Sequence, residues 1–177
     1  MRRLIALLVV IALVIAGFLL VPAARSLFED TRDKLGKAAQ ITPTTVTADA
    51  EAPGHPAGNA TDGLTNEYWG APALGDTLTC AFAAPFRLVG VVVNSGVSTA
   101  AEEFRRAPRP TRVDLLITTT DGRTTTRAMT LDDRPGPQTL RMGIGNVTSV
   151  RVTIRAATGA TPEQPIALGE IEFFRRT

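Results

Sequence analysis

From residue 44 onward, hydrophobic and polar residues alternate in short runs separated by Gly, Pro and Asp. In residues 112–119, Val113, Leu115 and Ile117 point to one side, the period of two expected of a strand with one buried face. Residues 91–93 are all valine, which predicts a central strand buried on both faces. The pattern predicts eight strands, at residues 45–49, 77–82, 87–94, 112–119, 124–131, 139–144, 147–156 and 167–174.

The connections between these runs favour an antiparallel arrangement. Asp121-Gly122 lies between two threonine-rich runs and predicts a two-residue hairpin turn. No amphipathic helix of useful length follows residue 40. Eight short strands in about 130 residues predict an all-β fold, a two-sheet antiparallel β-sandwich or jelly roll. A domain of this size can bury a core without disulfides.

The N-terminus has a different pattern, because residues 4–21 are an unbroken run of apolar and small residues. As a helix this run reaches roughly 27 Å, close to the bilayer core of about 30 Å. Arg2 and Arg3 precede it and, by the positive-inside rule, keep the N-terminus cytoplasmic and the rest of the chain outside. We therefore expect a single-pass membrane anchor at residues 1–24 and an extracytoplasmic C-terminal domain.

A cleaved signal peptide is the alternative for this segment. Val21-Pro22-Ala23 followed by Ala24 fits a signal-peptidase site, and cleavage there would make the protein secreted. Typical signal peptides have apolar stretches of only about 7–15 residues, which favours the anchor.

Residues 25–43 are expected to form a short helical stalk or linker between the anchor and a domain at 44–177. Ser26 and Glu29 fit a capping box, and acid-to-base pairs four residues apart follow them. Gly36 and Pro43 end the helical pattern.

Charge argues against a nucleic-acid partner. The chain has a formal net charge of +2, but residues 1–45 hold six Lys/Arg and three Asp/Glu. The remaining residues carry 13 basic and 14 acidic side chains, a net charge of −1, so no concentrated basic face is expected. The single cysteine, Cys80, excludes an intramolecular disulfide and a cysteine-based zinc site, and its alternation with Leu78 and Phe82 predicts a buried thiol.

The residues do not favour an enzyme. His55 is the single histidine, and no Gly-x-Ser-x-Gly elbow is present to support Ser–His–Asp catalysis. Phosphate-cradling glycine motifs are also absent from the sequence. Asp132 and Asp133 are adjacent at a strand end, so their side chains point apart and do not form an acid–base pair.

Residues 59–69 read Asn-Ala-Thr-Asp-Gly-Leu-Thr-Asn-Glu-Tyr-Trp, a tight Asp-Gly turn that precedes a tryptophan. Together with Ile-Ala-Leu-Gly-Glu-Ile-Glu-Phe-Phe at residues 166–174, this stretch resembles the discoidin, or galactose-binding-like, β-sandwich family. More narrowly, residues 44–177 resemble the NADase-type glycan-binding, or translocation, domain of actinobacterial membrane proteins. That resemblance also uses Pro-Gly-His-Pro at residues 53–56 and Glu103-Phe104 before an Arg-Pro-Arg stretch.

The resemblance implies a structural calcium site. In calcium-binding discoidin domains and family 32 carbohydrate-binding modules, the Asp-Gly turn and the closing strand supply oxygen ligands. In this sequence those ligands are three carboxylates and three backbone carbonyls, from Asp62, Glu67 and Glu170 and from Asn59, Leu64 and Gly169. Six oxygens suit calcium, which takes 6–8.

Two departures from the family pattern affect the cation site. Leu64 offers only its backbone, and Glu67 stands where the family usually has threonine, so it either supplies a stronger anionic ligand or points to solvent. The alternative is a metal-free turn in which Asp62 accepts backbone hydrogen bonds and an arginine neutralises Glu170.

The family also implies a glycan site on the rim loops, with an aromatic platform and polar side chains. In the polar loop at 102–109, Phe104 is the expected platform, and Arg105, Arg106 and Arg109 are expected to grip hydroxyls or carboxylates. A solvated, charge-balanced loop is the alternative meaning of this run. Trp69 is expected in the core, and His55 is a further rim candidate.

These observations predict a non-catalytic, membrane-tethered module that binds cell-wall or extracellular glycan outside the cell. The alternative is a protein-interaction domain in a cell-envelope complex, because this sandwich also binds proteins and the sequence has few rim aromatics.

Overall fold

Strands form where the hydrophobic alternation predicts them, and several are longer than expected. The computed structural model of the protein describes residues 38–177. In these residues it has eight strands, β1 (Ala38–Ile41), β2 (Thr45–Ala48), β3 (Trp69–Ala71), β4 (Thr77–Ser95), β5 (Arg109–Thr119), β6 (Thr124–Thr130), β7 (Gln138–Thr158) and β8 (Ile166–Arg176). A 3-10 turn at Ala57–Ala60 and a short helix, α1 (Ala101–Phe104), lie in the connections.

All strand pairs are antiparallel, and β4 and β7 take part in both layers of a sandwich. The first layer has the order β2, first part of β4, second part of β7, β5 and β6. In the second layer β8 has β1 and β3 on one side and the second part of β4 on the other, followed by the first part of β7. The predicted two-sheet antiparallel β-sandwich is confirmed.

The strands predicted at 77–82 and 87–94 are parts of one continuous strand, β4. Likewise, the strands predicted at 139–144 and 147–156 are parts of β7. Register shifts in the β4–β7 ladder lie between Ala81 and Phe86 and again before Gly90, where the two strands pass from one layer to the other. A bulge increases local bending and twist without ending the strand, so each long strand serves both layers.

The core lies between the layers and is lined by the inward-facing residues of the alternating strands. Trp69, Leu78, Leu115, Ile154 and Phe173 are among its fully buried side chains. The Trp69 indole N–H donates to the Ala50 carbonyl at 3.0 Å, so the one polar atom of this large side chain is satisfied.

Cys80 is a buried free thiol, as the alternation predicts. Burial raises the pKa of its thiol to about 12, with a smaller contribution from the negative charge of Glu170. A thiol in this state is a packing group and not a nucleophile.

Residues 38–41 fall within the segment predicted as a helical stalk or linker, and the structure places them in the domain as β1. This strand pairs with β8, with Ala38 opposite Arg176 and Ile41 opposite Phe173. Ile41 also packs against the core, so the edge of β8 and an apolar contact together determine this conformation. β3 is likewise absent from the prediction, since three residues are too short for a periodic pattern to show.

Residues 1–37, with the predicted anchor at 1–24 and most of the predicted stalk, lie outside the described residues. Within residues 38–177, no helix is long and apolar enough to cross a membrane.

Connections from both layers meet at one end of the sandwich. The Gly96 N–H donates a hydrogen bond to the Ala167 carbonyl, and the Ala167 N–H donates to the Pro108 carbonyl. The Gly75 N–H donates to the Ile154 carbonyl at 2.8 Å. We call this end the loop rim; it comprises residues 49–68, 72–76, 96–108, 131–137 and 159–165, with Arg109 as the first strand residue. The opposite end holds the Asp121-Gly122 turn, the start of β1 and the end of β8.

Gly169 allows β8 and β4 to approach each other at the loop rim. A Cβ at this position would lie 2.6 Å from the Gly96 carbonyl oxygen and 3.2 Å from that of Asn94. Both neighbours are backbone atoms, one near the end of β4 and one just after it, so they cannot rotate away as a side-chain end would.

We therefore expect Gly169→Ala to lower the free energy of unfolding by about 1–3 kcal/mol, the usual cost of overpacking. Urea unfolding of the two proteins measures the difference. Gly145→Ala is the matched control, because a Cβ there meets nothing within 4 Å and its φ is not positive. Equal stability of the Gly169→Ala and Gly145→Ala variants would show that the close approach is not a constraint.

Candidate functional site

The Asp62-Gly63 turn lies against the last strand. Gly63 has φ 81°, a conformation that favours glycine, and the Leu64 N–H donates to Asp62 Oδ1 at 2.8 Å. The Gly63 N–H donates to Glu170 Oε2 at 3.3 Å. Residues 107 positions apart in the chain therefore meet where the sequence placed the cation site.

Glu67, the residue that departs from the family pattern, is turned into its own loop. Its Oε2 accepts a hydrogen bond from Asn59 Nδ2 at 3.0 Å, and both side chains are half-buried. The Glu67 side chain does not simply point to solvent, one of the two outcomes that the sequence left open.

Glu170 is a buried carboxyl beside other negative charges. Its side chain is only 2% exposed. Its pKa is raised to about 8, mainly by burial and further by the negative charges of Asp62 and Glu172, and the hydrogen bond from the Gly63 N–H opposes this rise. No arginine in residues 38–177 forms an ion pair with Glu170, so the arginine of the metal-free alternative is not seen there.

Asn94 adds an unpaired amide to this region. It stands opposite Glu170 in the β4–β8 ladder, is 4% exposed, and neither its Oδ1 nor its Nδ2 has a hydrogen-bond partner in the described part of the chain. Directly opposed residues of an antiparallel pair project to the same side of the sheet. An amide oxygen left without a partner is costly in a buried position.

The carboxylate and carbonyl oxygens around the turn are the kind of ligand that a hard cation prefers. Asp62 and Glu170 would contribute carboxylate oxygens, and the carbonyls of Asn59, Leu64 and Gly169 would contribute neutral ones, a set typical of calcium. Within residues 38–177, however, no three His, Cys, Asp or Glu side chains group closely enough to hold a metal by themselves. A site here would therefore depend on backbone carbonyls as well as on the two carboxylates.

Phe104 does not form the exposed platform expected of it. The ring is 2% exposed and packs on Gly96, where an added Cβ would lie 2.7 Å from the ring. The Arg109 guanidinium carbon covers the other side at 4.5 Å from the ring centre, a cation–π contact. A sugar ring cannot stack on a covered aromatic, so the platform assignment is corrected to a packing role.

Arg109 is a structural link and not a free ligand group. It is 7% exposed, and its Nε and Nη2 donate to the two oxygens of Asp133 at 2.5 and 2.9 Å. Its Nη1 donates to the Ala107 carbonyl at 3.2 Å. The bidentate pair joins the 96–108 and 131–137 loops, a use of arginine that lysine cannot reproduce.

The other two arginines of this loop stay at the surface. Arg105 pairs with Glu102, and both side chains are exposed. Arg106 is exposed and makes no ion pair within the described residues. Of the four predicted glycan-binding residues, the structure leaves Arg105 and Arg106 facing solvent.

His55 and Tyr68 form a stacked pair that the sequence did not predict, although His55 is a rim candidate in the sequence analysis. Their ring centres are 3.9 Å apart, and Tyr68 Oη lies 2.8 Å from His55 Nε2. Gly70 makes room for the pair, because a Cβ there would lie 2.9 Å from the Cβ of His55. Thirteen residues separate the two rings in the chain, so only the loop's path brings them together.

A cavity of about 410 Å³ lies away from these residues, at the β5–β6 hairpin. Its polar groups are already bonded to one another, since the Thr119 hydroxyl donates to Asp121 and Arg123 pairs with the same carboxylate. It contains none of the predicted site residues.

Known structures share this fold at low sequence identity. The family 32 carbohydrate-binding module of NanJ from C. perfringens, solved with galactose, is 16% identical, with a TM-score of 0.64 over 78% of this chain and 99% of that one. An F5/8 type C domain from Bacteroides fragilis is 17% identical, with a TM-score of 0.61 over 80% and 99%. The family 32 module of AlyQ, solved with 4,5-unsaturated mannuronic acid, is 14% identical, with a TM-score of 0.62 over 77% and 98%.

These matches show that the fold is that of discoidin-like and family 32 carbohydrate-binding domains. No protein-family model matches the sequence, and no curated protein matches it significantly.

The raised pKa of Glu170 generates a prediction about pH. In the unfolded chain this carboxyl titrates near 4.5, and in the folded protein near 8, so between these values the folded state binds more protons. Stability in the presence of chelator should therefore fall as pH rises through this window. Glu170→Gln should flatten that decline, and the measurement is urea unfolding across the window.

Glu163→Gln is the control, because it changes an exposed carboxylate elsewhere on the loop rim. Its stability should decline with rising pH as that of the wild-type protein does. A wild-type stability that rises with pH in chelator would contradict the assignment of a protonated Glu170.

Proposed function

We propose that this protein is a non-catalytic glycan-binding module held on the outer face of the cell membrane. The observation that carries the proposal is its fold, which matches carbohydrate-binding modules over 98–99% of their length. Since the structural neighbours include modules solved with a bound sugar, glycan is the ligand class that the fold favours. At this level of identity the fold carries the analogy, and the chain's own residues must supply the site.

The loop rim is the part of the domain that we assign to the glycan. Arg105 and Arg106 present guanidinium groups to solvent there, and Arg106 has no ion-pair partner among residues 38–177. Phe104 and Arg109 support them from beneath, because their contact and the Asp133 pair hold the 96–108 loop against the domain. Guanidinium donors on a fixed loop suit sugar hydroxyls, which accept hydrogen bonds.

A structural calcium ion is the second part of the proposal. It would be held by Asp62 and Glu170 with the carbonyls of Asn59, Leu64 and Gly169, and Glu67 would reach it only by releasing Asn59. Calcium would supply positive charge there, and the proposal assigns it no catalytic role. Its charge would stabilise the ionised form of Glu170, whose pKa is raised by burial and by the negative charge of Asp62.

Tethering by residues 1–24 is supported by the apolar run and its flanking arginines. β1 begins at Ala38, at the end of the sandwich opposite the loop rim. A chain arriving from an anchor would therefore enter the domain at that end.

An assembly domain that binds an envelope protein is the second candidate, and the burial of Phe104 favours it. The described loop rim also exposes two large apolar side chains, Leu64 at 51% and Leu74 at 53%. Apolar side chains at a surface suit protein contacts better than sugar hydroxyls.

Glycan binding is tested on a glycan array and on isolated cell-wall polysaccharide. Arg106→Ala should weaken binding roughly tenfold, the cost of about 1.5 kcal/mol for a hydrogen bond to a charged group. Arg123→Ala removes an exposed arginine at the opposite end and should leave binding unchanged. Retention of a membrane protein on the immobilised chain, without any sugar bound, would favour the assembly role instead.

The calcium site is tested by thermal unfolding with calcium and with chelator. An ion at a hundredfold excess over its Kd stabilises the folded state by about 2.7 kcal/mol. Asp62→Ala should abolish the calcium-dependent rise, while Glu163→Gln should retain it. An identical melt of the wild-type protein in calcium and chelator would remove calcium from the proposal.

A further inference from the structure

Asn94, near the end of β4, lies beside the carboxyl that the Asp62-Gly63 turn contacts. It stands directly opposite Glu170 in the β4–β8 ladder. Opposed residues of an antiparallel pair project to the same side of the sheet, with Cβ atoms about 4.5–5.5 Å apart. The Gly63 N–H donates to Glu170 Oε2 at 3.3 Å, so the turn, the carboxyl and the amide meet in one place.

The Asn94 amide is buried without a partner. The residue is 4% exposed, and neither its Oδ1 nor its Nδ2 forms a hydrogen bond within residues 38–177. A hydrogen bond to Glu170 would satisfy both side chains, yet none is formed. Taking an amide out of water without a compensating partner destabilises the folded state. The described part of the chain therefore leaves an amide oxygen free at this position.

The conformation of Glu67 leaves the proposed calcium site short of one oxygen. Its carboxylate accepts a hydrogen bond from Asn59 Nδ2 at 3.0 Å and is held in its own loop. The ligands that remain are the carboxylates of Asp62 and Glu170 and three backbone carbonyls, about five oxygens if each carboxylate supplies one, whereas calcium takes 6–8. One more oxygen beside Glu170 would restore the smallest of these numbers.

We propose that Asn94 Oδ1 is a further ligand of the cation site and takes the place that Glu67 leaves. The inference rests on the proposed calcium ion, and it adds β4 to the Asp-Gly turn and the closing strand as a source of ligands. Amide oxygens are among the groups that calcium binds in proteins. A neutral oxygen adds no repulsion to Asp62 and Glu170, whose two charges then balance those of a divalent ion.

Asn94→Leu tests this role, because leucine has a similar shape and no oxygen. Thermal unfolding of the full-length protein is measured in chelator and in calcium. In chelator the variant should melt at the wild-type temperature or above it, because the unpaired buried amide is gone. Its Kd for calcium should rise at least about tenfold, since losing a group that merely supports a metal ligand already costs about 10–100-fold.

Gln138→Met is the matched control, because it removes a buried amide that is satisfied. Gln138 is 7% exposed, its Oε1 accepts from the Asp132 N–H at 2.7 Å, and its Nε2 donates to the Asp132 carbonyl at 2.8 Å. The control should melt at a lower temperature in chelator and in calcium alike. The rise that calcium causes should stay at its wild-type size.

Terbium in place of calcium gives a readout that does not depend on stability, because its luminescence lifetimes in H₂O and D₂O count the waters bound to it. Water takes a coordination position that a protein oxygen leaves, so Asn94→Leu should add about one water to the bound ion. Asn94→Asp returns an oxygen and should keep the wild-type count, while repulsion from Asp62 and Glu170 lowers its stability in chelator. Gln138→Met should also keep the wild-type count.

The outcomes separate the role of Asn94 from the calcium site on which it rests. Calcium affinity and a water count that Asn94→Leu leaves at wild-type values overturn the role of Asn94, while the calcium site stands. Should leucine prevent folding, Asn94→Ala makes the same loss with a smaller side chain and is judged by the same two measurements. A folded wild-type protein that binds neither calcium nor terbium overturns the inference together with the calcium proposal.

Discussion

The pairing of β8 with β4 is the constraint on which the rest of the described structure depends. β8 receives β1 and β3 on its free edge, so both short strands exist because this strand is already held by β4. Gly169 permits the contact at the loop rim. The same pairing places Glu170 beside the Asp62-Gly63 turn and Leu168 opposite Trp69, which ties the first loops to the last strand.

This pairing also creates an electrostatic problem at the loop rim. Glu170 is buried next to Asp62 and Glu172, and its pKa is raised by that burial and by repulsion from the two neighbouring carboxylates. A bound cation beside Asp62 would relieve this repulsion, so the proposed calcium ion is a response to the charge distribution that the pairing of β8 with β4 creates.

Much of the fold could be predicted because strand identity is a local property. Alternation in 112–119 and the all-valine run at 91–93 depend on neighbouring residues and the period of two, and both segments are strands. The sequence could not predict that β4 and β7 continue across both layers. The residues between the predicted runs resemble turns in composition, and a β-bulge there cannot be recognised from the sequence. The conformation of residues 38–41 depends on the edge of β8, more than 130 residues away in the chain.

The candidate site divides in the same way. By itself the sequence determined the Asp-Gly turn, the closing strand and the oxygen-rich residues near them, because the turn and the strand follow from local backbone preferences. The tertiary structure alone decided that Phe104 is covered by Arg109, that Arg109 is bound to Asp133, and that Glu170 is buried beside the Asp62-Gly63 turn. Exposure and electric potential are properties of side chains distant in sequence and close in space, so only the assembled fold could assign them.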